Sequence, residues 1–370
     1  MSRKFAVGYQ QNAEGEEFAE IVKDYASDIC EVYFAWPGQA SGRNALGSIR
    51  GRKNWDAQFL LEEDLQNFKR QGIKLDLLFN ANCYGGKAVS QHLENEVLSI
   101  LEHLDRIVDG VEIVTTTSLA IARTVKKYFP KIEVRASVNM RIGTIQAMEY
   151  VSGLFDSFYL QRDMQRDLEY VKRVRKWCDD NGKGLCMLAN SGCLYCCPGQ
   201  SFHDNMVAHD AEIDETRNIE NWTPFVCWNI LRKKEMRTAL LQETWIRPED
   251  LHNYFELADV FKLATRLHTH PRMVLNAYTS GSYNGNLLDL LEPGFSTLLA
   301  PEYIDNKAFP EDWFERTSTC GRRFAAPTAT RPTTSALRPT AGGARARAAA
   351  ASPAAACRTT RRAPPAPTAR

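Results

Sequence analysis

Cys193, Cys196 and Cys197 crowd one loop, Asn190-Ser191-Gly192-Cys193-Leu194-Tyr195-Cys196-Cys197-Pro198-Gly199. The loop follows the apolar run Leu185–Ala189, which has the pattern of a buried strand. Thiolates are soft ligands, and several of them just past one strand can converge on a metal with little loss of chain entropy. Cys227 stands further along and can close such a site. Three chemistries compete with an arrangement of inert, buried thiols. An iron–sulfur cluster, most simply of the 4Fe-4S type, would use Cys193, Cys197, Cys227 and either Cys186 or Cys320. A structural zinc would take Cys193, Cys197, His203 and His209, although that spacing is not a common finger. A catalytic thiolate would place Cys193 beside a histidine base. Cys30, Cys178 and Cys357 read as bystanders, and Cys83 ends a strand where it can face a site.

The loop needs a scaffold. Eight β-like runs alternate with helical ones: Phe5–Tyr9, Ile29–Ala35, Leu75–Asn80, Gly110–Thr115, Glu133–Val138, Ser157–Gln161, Leu185–Ala189 and Val260–Ala264. Helical patterns fall near 16–26, 57–71, 88–106, 118–128, 144–152, 163–181 and 248–257. Leu93, Val97, Ile100, Leu101 and Leu104, for example, keep one apolar face at helical spacing. This alternation predicts parallel pairing with helices outside, and eight is the closure number of a TIM-type (β/α)8 barrel of about 250 residues. An open doubly wound sheet is the other arrangement such a pattern allows.

In a barrel the strand C-termini carry the site. Here those ends supply Asn80, Asn139, Gln161, Arg162, Asn190 and Arg266 as candidate substrate-binding residues. Amides both donate and accept hydrogen bonds, which suits a planar heteroaromatic or carbonyl ligand better than a phosphate. The Gly85-Gly86-Lys87 stretch lacks P-loop spacing. For Arg162 the competing reading is a salt bridge to Asp163.

The organisation expected is a barrel over 1–266, with a long insert at 190–247, an extension at 267–324 and a low-complexity tail at 325–370. The tail holds eight arginines, no lysine and no acid, and is too poor in large apolar residues to fold. A nucleic-acid-binding arm, or an out-of-frame reading of GC-rich sequence, would each give that composition. Without the tail, 38 basic and 45 acidic residues leave the body near −7, which argues against broad nucleic-acid binding by it. No apolar run is long enough to span a bilayer and the N-terminus has no secretory h-region, so a reducing, cytoplasmic setting is expected for the ten cysteines.

These residues carry a resemblance. Cys186 and Cys193 stand seven apart with Gly192 before the second, Cys227 follows, and Phe261-Lys262-Leu263-Ala264-Thr265-Arg266 carries a lysine and an arginine four apart. In this the chain resembles the collagenase-like peptidase U32 family over roughly residues 5–320. No cysteine stands where the family's fourth usually does, and Cys197 takes that part here. The spacing Cys193-x-x-x-Cys197 also resembles the opening of the radical-SAM motif, but Gln200 occupies the place of its third cysteine. The U32 resemblance implies a TIM-like iron–sulfur protein, with Cys186, Cys193, Cys197 and Cys227 as cluster ligands. It also implies oxygen-independent hydroxylation of an RNA base or of another small planar substrate. The family's name implies proteolysis instead, for which the chain has no His-Glu-x-x-His or Gly-x-Ser-x-Gly motif. A noncatalytic, zinc- or cluster-binding subunit of a heteromeric complex is the non-enzyme expectation. No residue is assigned a catalytic role from sequence.

Overall fold

Eight parallel strands close into a barrel in the computed structural model, which describes residues 4–11, 15–42, 48–49, 52–209, 223, 225–318 and 337–338. The strands are β1 Phe5–Gly8, β2 Ile29–Ala35, β3 Lys74–Phe79, β4 Ile113–Thr116, β5 Glu133–Ala136, β6 Ser157–Tyr159, β7 Gly184–Leu188 and β8 Val260–Leu263. Each pairs with its neighbours in sequence, and β8 closes on β1 in the register Phe5↔Phe261, Ala6↔Lys262, Val7↔Leu263. All eight expected strands are present, and closure excludes the open sheet.

Closure divides the buried side chains between two environments. Outward positions such as Val32, Leu77, Val134, Phe158, Met187 and Phe261 join the large apolar shell beneath the helices. Inward positions form small separate clusters, one of Ala6, Tyr33 and Leu78 and one of Val138, Tyr159, Cys186, Leu188 and Ala264. Six helices cover the first seven strands: α1 Phe18–Asp24, α2 Trp55–Arg70, α3 Gln91–Val108, α4 Leu119–Tyr128, α5 Ile145–Val151 and α6 Leu168–Asp180. The stripe of Leu93, Val97, Ile100, Leu101 and Leu104 is buried, as its spacing requires. Side-chain caps fix several starts: Asn54 accepts from the Ala57 N–H at 3.2 Å and Ser90 from the Leu93 N–H at 3.1 Å.

The segment expected to be helical at 248–257 forms a 3-10 helix, Pro248–Tyr254. Its buried residues, Pro248, Leu251 and Tyr254, recur every third position and so line one face of that tighter helix. The β7–β8 connection carries α7 Gln200–Ala208, α8 Val226–Leu231 and a 3-10 helix, Lys234–Gln242. Its two ends are tied together where β7 stops: the Ile246 N–H donates to Ala189 O at 2.8 Å and the Thr244 N–H to Cys193 O at 3.4 Å. After β8 comes α9 Pro271–Ser280, whose Tyr278 hydroxyl donates to Ile246 O at 2.8 Å. Trp313 then stacks on Trp245, ring centroids 6.2 Å apart.

The described residues up to Arg338 group as one compact unit. The low-complexity tail expected at 325–370 lies outside the described residues except for Leu337–Arg338, which pairs antiparallel with Tyr303–Ile304. Among the described residues no helix is long and apolar enough to cross a membrane.

Candidate functional site

Past β7 the chain leaves the barrel between two fixed points. Asn190 is fully buried, and its amide donates to Ala264 O at 3.1 Å and Leu290 O at 2.9 Å while accepting from the Ala264 N–H at 2.6 Å. Its hydrogen-bonding capacity is thus engaged by backbone, and it clamps β7 to β8 instead of facing a substrate. Gly192 follows, where a Cβ would come within 2.3 Å of Pro293 O, so only glycine allows the backbones to meet there.

The loop then presents its thiols. Cys193 and Cys197 are half-buried, Cys196 is exposed, and Cys227 comes back to them from α8. Burial and the neighbouring Cys193 and Cys197 push the Cys227 thiol up to about 12. Burial likewise raises Cys197, with Cys193 contributing. Cys193, Cys197 and Cys227 are thus electrostatic neighbours. Arg162 is buried beside them, and its Nη1 donates to Cys193 Sγ at 3.2 Å. Its Nη2 has no hydrogen-bond partner among the described residues. Asp163 does not pair with Arg162; it takes the Gln161 amide at 2.8 Å and the Cys196 N–H at 2.8 Å. Cys196 has φ 52, a left-handed conformation held by that last bond. Glu243, fully buried, adds a carboxyl that burial and Cys193 raise well above the usual range, with neither oxygen hydrogen-bonded among the described residues.

Cys186 is elsewhere. Side chains alternate along β7, so Leu185 and Met187 face the helices while Cys186 and Leu188 point into the barrel. Cys186 is buried beside Arg135 and Glu31, and burial holds its thiol protonated. The structure does not bring it to the other three cysteines. Cys30 donates to Phe5 O at 3.2 Å and Cys178 is buried in α6, which agrees with their reading as bystanders. Cys320 lies outside the described residues. The chain nearest it is Ser318, whose carbonyl accepts from the Leu168 N–H at 3.2 Å at the start of α6.

The remaining rim residues meet at the mouth. Asn80 Oδ1 accepts from the Ser41 hydroxyl at 3.2 Å and the Gly42 N–H at 3.0 Å, and Arg266 Nη1 donates to Ser41 Oγ at 2.9 Å. The Asn139 amide donates to Asn80 O at 3.3 Å. The loop after β2 is thereby drawn across from β3 to β8.

Among the described residues, no three His, Cys, Asp or Glu side chains are placed to hold one metal ion. The zinc reading through Cys193, Cys197, His203 and His209 therefore has no formed site there; the His203 ring packs edge-on to Phe225, centroids 5.2 Å apart. A cluster distributes its thiolates over several irons and so asks for a wider spacing than a single ion. Three soft sulfur donors in one field, facing a buried cation, fit that group in donor chemistry.

No family model matches the chain. An uncharacterized protease of Methanocaldococcus jannaschii is 26% identical over 313 residues, spanning 82% of this chain and 88% of that protein. Among solved structures a U32 peptidase matches with 15% identity and a TM-score of 0.49, over 71% of this chain and 94% of the other. A glycoside hydrolase family 5 mannosidase from Rhizomucor miehei follows at 8% identity and a TM-score of 0.40, covering 70% of this chain and 81% of its own.

Sequence reasoning missed a set of charged side chains inside the barrel. Glu31 and Arg135 form a buried ion pair, with Arg135 Nη2 on Glu31 Oε2 at 3.2 Å. Asp76, Tyr159 and Lys262 are buried near them. The signal was present as a lone charge within an apolar strand, as in Lys-Leu-Asp-Leu-Leu-Phe around Asp76 and Val-Phe-Lys-Leu around Lys262.

Proposed function

We propose that this chain is a U32-peptidase-like enzyme that holds an iron–sulfur cluster on Cys193, Cys197 and Cys227. Its proposed reaction is oxygen-independent hydroxylation of an RNA base or another planar substrate at the barrel mouth. The observation that carries the reading is the buried Arg162 guanidinium on Cys193, a thiol that has Cys197 and Cys227 as electrostatic neighbours. When bound, the cluster supplies one-electron chemistry. The chain's own contribution is the Arg162 guanidinium, whose Nη1 donates to Cys193 Sγ and holds that thiol in place. Arg266, set at the mouth by Ser41, offers a planar fork of donors to a carbonyl-rich ring. Cys320, two residues past Ser318 in sequence, is with Cys186 one of the two sequence candidates for a fourth ligand.

Anaerobic iron and sulfide quantitation on the full chain tests this. Cys193→Ala is expected to lose iron, sulfide and visible absorbance, and Cys178→Ala to keep all three. Full iron content in both variants would overturn the assignment. The M. jannaschii relative's name favours proteolysis as a second reading. Casein cleavage by metal-free protein that Cys193→Ala abolishes would support that reading over the first.

A further inference from the structure

Two buried side-chain oxygens inside the barrel lack the hydrogen-bond partners that burial demands, and a lysine points in beside them. Lys262 projects inward from β8 with its Nζ 3.6 Å from the centroid of the Tyr33 ring and 5.2 Å from that of Tyr159. Among the described residues its ammonium has no hydrogen-bonded acceptor and no ion-pair partner. The Tyr159 hydroxyl is fully buried and unpartnered. Asp76 is fully buried too; its Oδ2 accepts from the Thr115 hydroxyl at 2.8 Å, and its Oδ1 has no partner. Buried polar groups are nearly always hydrogen-bonded, and leaving one without a partner lowers stability. Two such orphans, the Tyr159 hydroxyl and Asp76 Oδ1, are therefore kept in one barrel at a cost to stability. They lie below the C-terminal mouth, where barrels of this kind place ligands.

Their donor and acceptor pattern specifies a class of molecule. An ammonium brings three donors and no acceptor, and a phenol can donate alongside it. Both serve a carboxylate or carbonyl oxygen. Asp76 Oδ1, on the same interior, can accept from a hydroxyl. Glu31 cannot supply the missing anion to Lys262, because its carboxylate is already bound to Arg135. The tyrosine faces solvate the cation in part but leave its N–H groups without an acceptor.

We propose that Lys262, Tyr159 and Asp76 form a binding site within the barrel for a small hydroxycarboxylate, or for the equivalent hydroxyl-and-carbonyl corner of a larger substrate. Lys262 and Tyr159 hold the anionic or carbonyl oxygen, and Asp76 holds the hydroxyl. The site stands on the geometry of the barrel interior and does not depend on a cluster at Cys193.

Burial brings Lys262 down to about 8 and lifts Asp76 to about 7. The charged and titratable groups facing the pair are Glu31, Arg135, Tyr33, Tyr159, Cys186 and Arg266. Of these, Arg135 and Arg266 keep their charge throughout the physiological range. Loss of carboxylate binding as pH rises past 8 would thus report Lys262.

The test is calorimetric titration of the full chain with glycolate, with acetate as the analogue lacking the hydroxyl. Glycolate is expected to bind more tightly than acetate near pH 7, and both to weaken as pH rises past 8. Lys262→Met removes the charge and should weaken glycolate about tenfold or more, as loss of a charge-assisted hydrogen bond implies. Tyr159→Phe keeps the ring and the fold and should weaken both probes. Asp76→Asn should narrow the gap between glycolate and acetate. No glycolate binding by the wild-type chain, or unchanged binding in Lys262→Met and Tyr159→Phe, overturns the proposal. Should Lys262→Met fail to fold, Tyr159→Phe alone decides.

Discussion

At the scale of single residues, neighbours in sequence part company in space. Cys186 and Cys193 lie seven positions apart, yet β7's alternation sends the first into the barrel and the loop carries the second to Arg162. Cys186→Ala is accordingly expected to retain iron, whereas Cys197→Ala and Cys227→Ala lose it; metal content of the anaerobically purified variants checks this. Loss of iron in Cys186→Ala would mean that β7 rearranges when the cluster is loaded. Arg266 makes a different prediction. Its bond to Ser41 places it at the mouth, and a lysine there keeps the charge but loses the planar fork. Arg266→Lys should lower activity in an anaerobic hydroxylation assay while leaving melting temperature and iron content unchanged. Full activity, or an unfolded variant, would remove it from the substrate site.

At the scale of elements, the packing of strand ends decides which polar residues are available for chemistry. Asn190 looked like a rim ligand because polar residues gather where strands stop. In the fold it closes the gap between β7, β8 and the segment at Leu290. Asn190→Ala leaves those buried backbone groups unpaired and should cost about 1–3 kcal/mol in denaturant unfolding. Gly8 gives a steric counterpart: a Cβ there would meet the Tyr33 ring at 2.6 Å, and Tyr33 reaches across to donate to Leu263 O at 2.8 Å. Gly8→Ala should therefore cost about 1–3 kcal/mol through overpacking, read from the same unfolding curves. Strand positions were legible in the sequence because the outward shell demands apolar residues such as Leu77 and Met187. The cysteine loop was legible because thiols are uncommon and clustered. The inward network was not, because Glu31 and Arg135 stand 104 residues apart and only barrel closure makes them partners. Nor could spacing show that Asn190's amide is taken up by backbone, since Leu290 reaches it from 100 residues away.

At the scale of the whole molecule, the barrel interior ties stability to pH. Asp76 is lifted from the ordinary 3.8 to about 7, chiefly by burial. Between those values the folded chain holds a proton that the unfolded chain has released, so this group's stabilising contribution is lost as pH rises through that window. Lys262 is lowered from 10.5 to about 8, again chiefly by burial. Between 8 and 10.5 the unfolded chain holds the extra proton, so this contribution is regained as pH climbs. The pair therefore weighs most heavily against folding between pH 7 and 8. Asp76→Asn removes the acid limb, because asparagine has no proton to release. Urea unfolding at pH 5 and pH 7 should show a larger loss of stability for the wild-type chain than for Asp76→Asn. Using the difference between the two proteins cancels the exposed carboxylates common to both. Parallel behaviour across that interval would mean that Asp76 is ionised at pH 5 in the folded state, and that Lys262 already has its counter-charge.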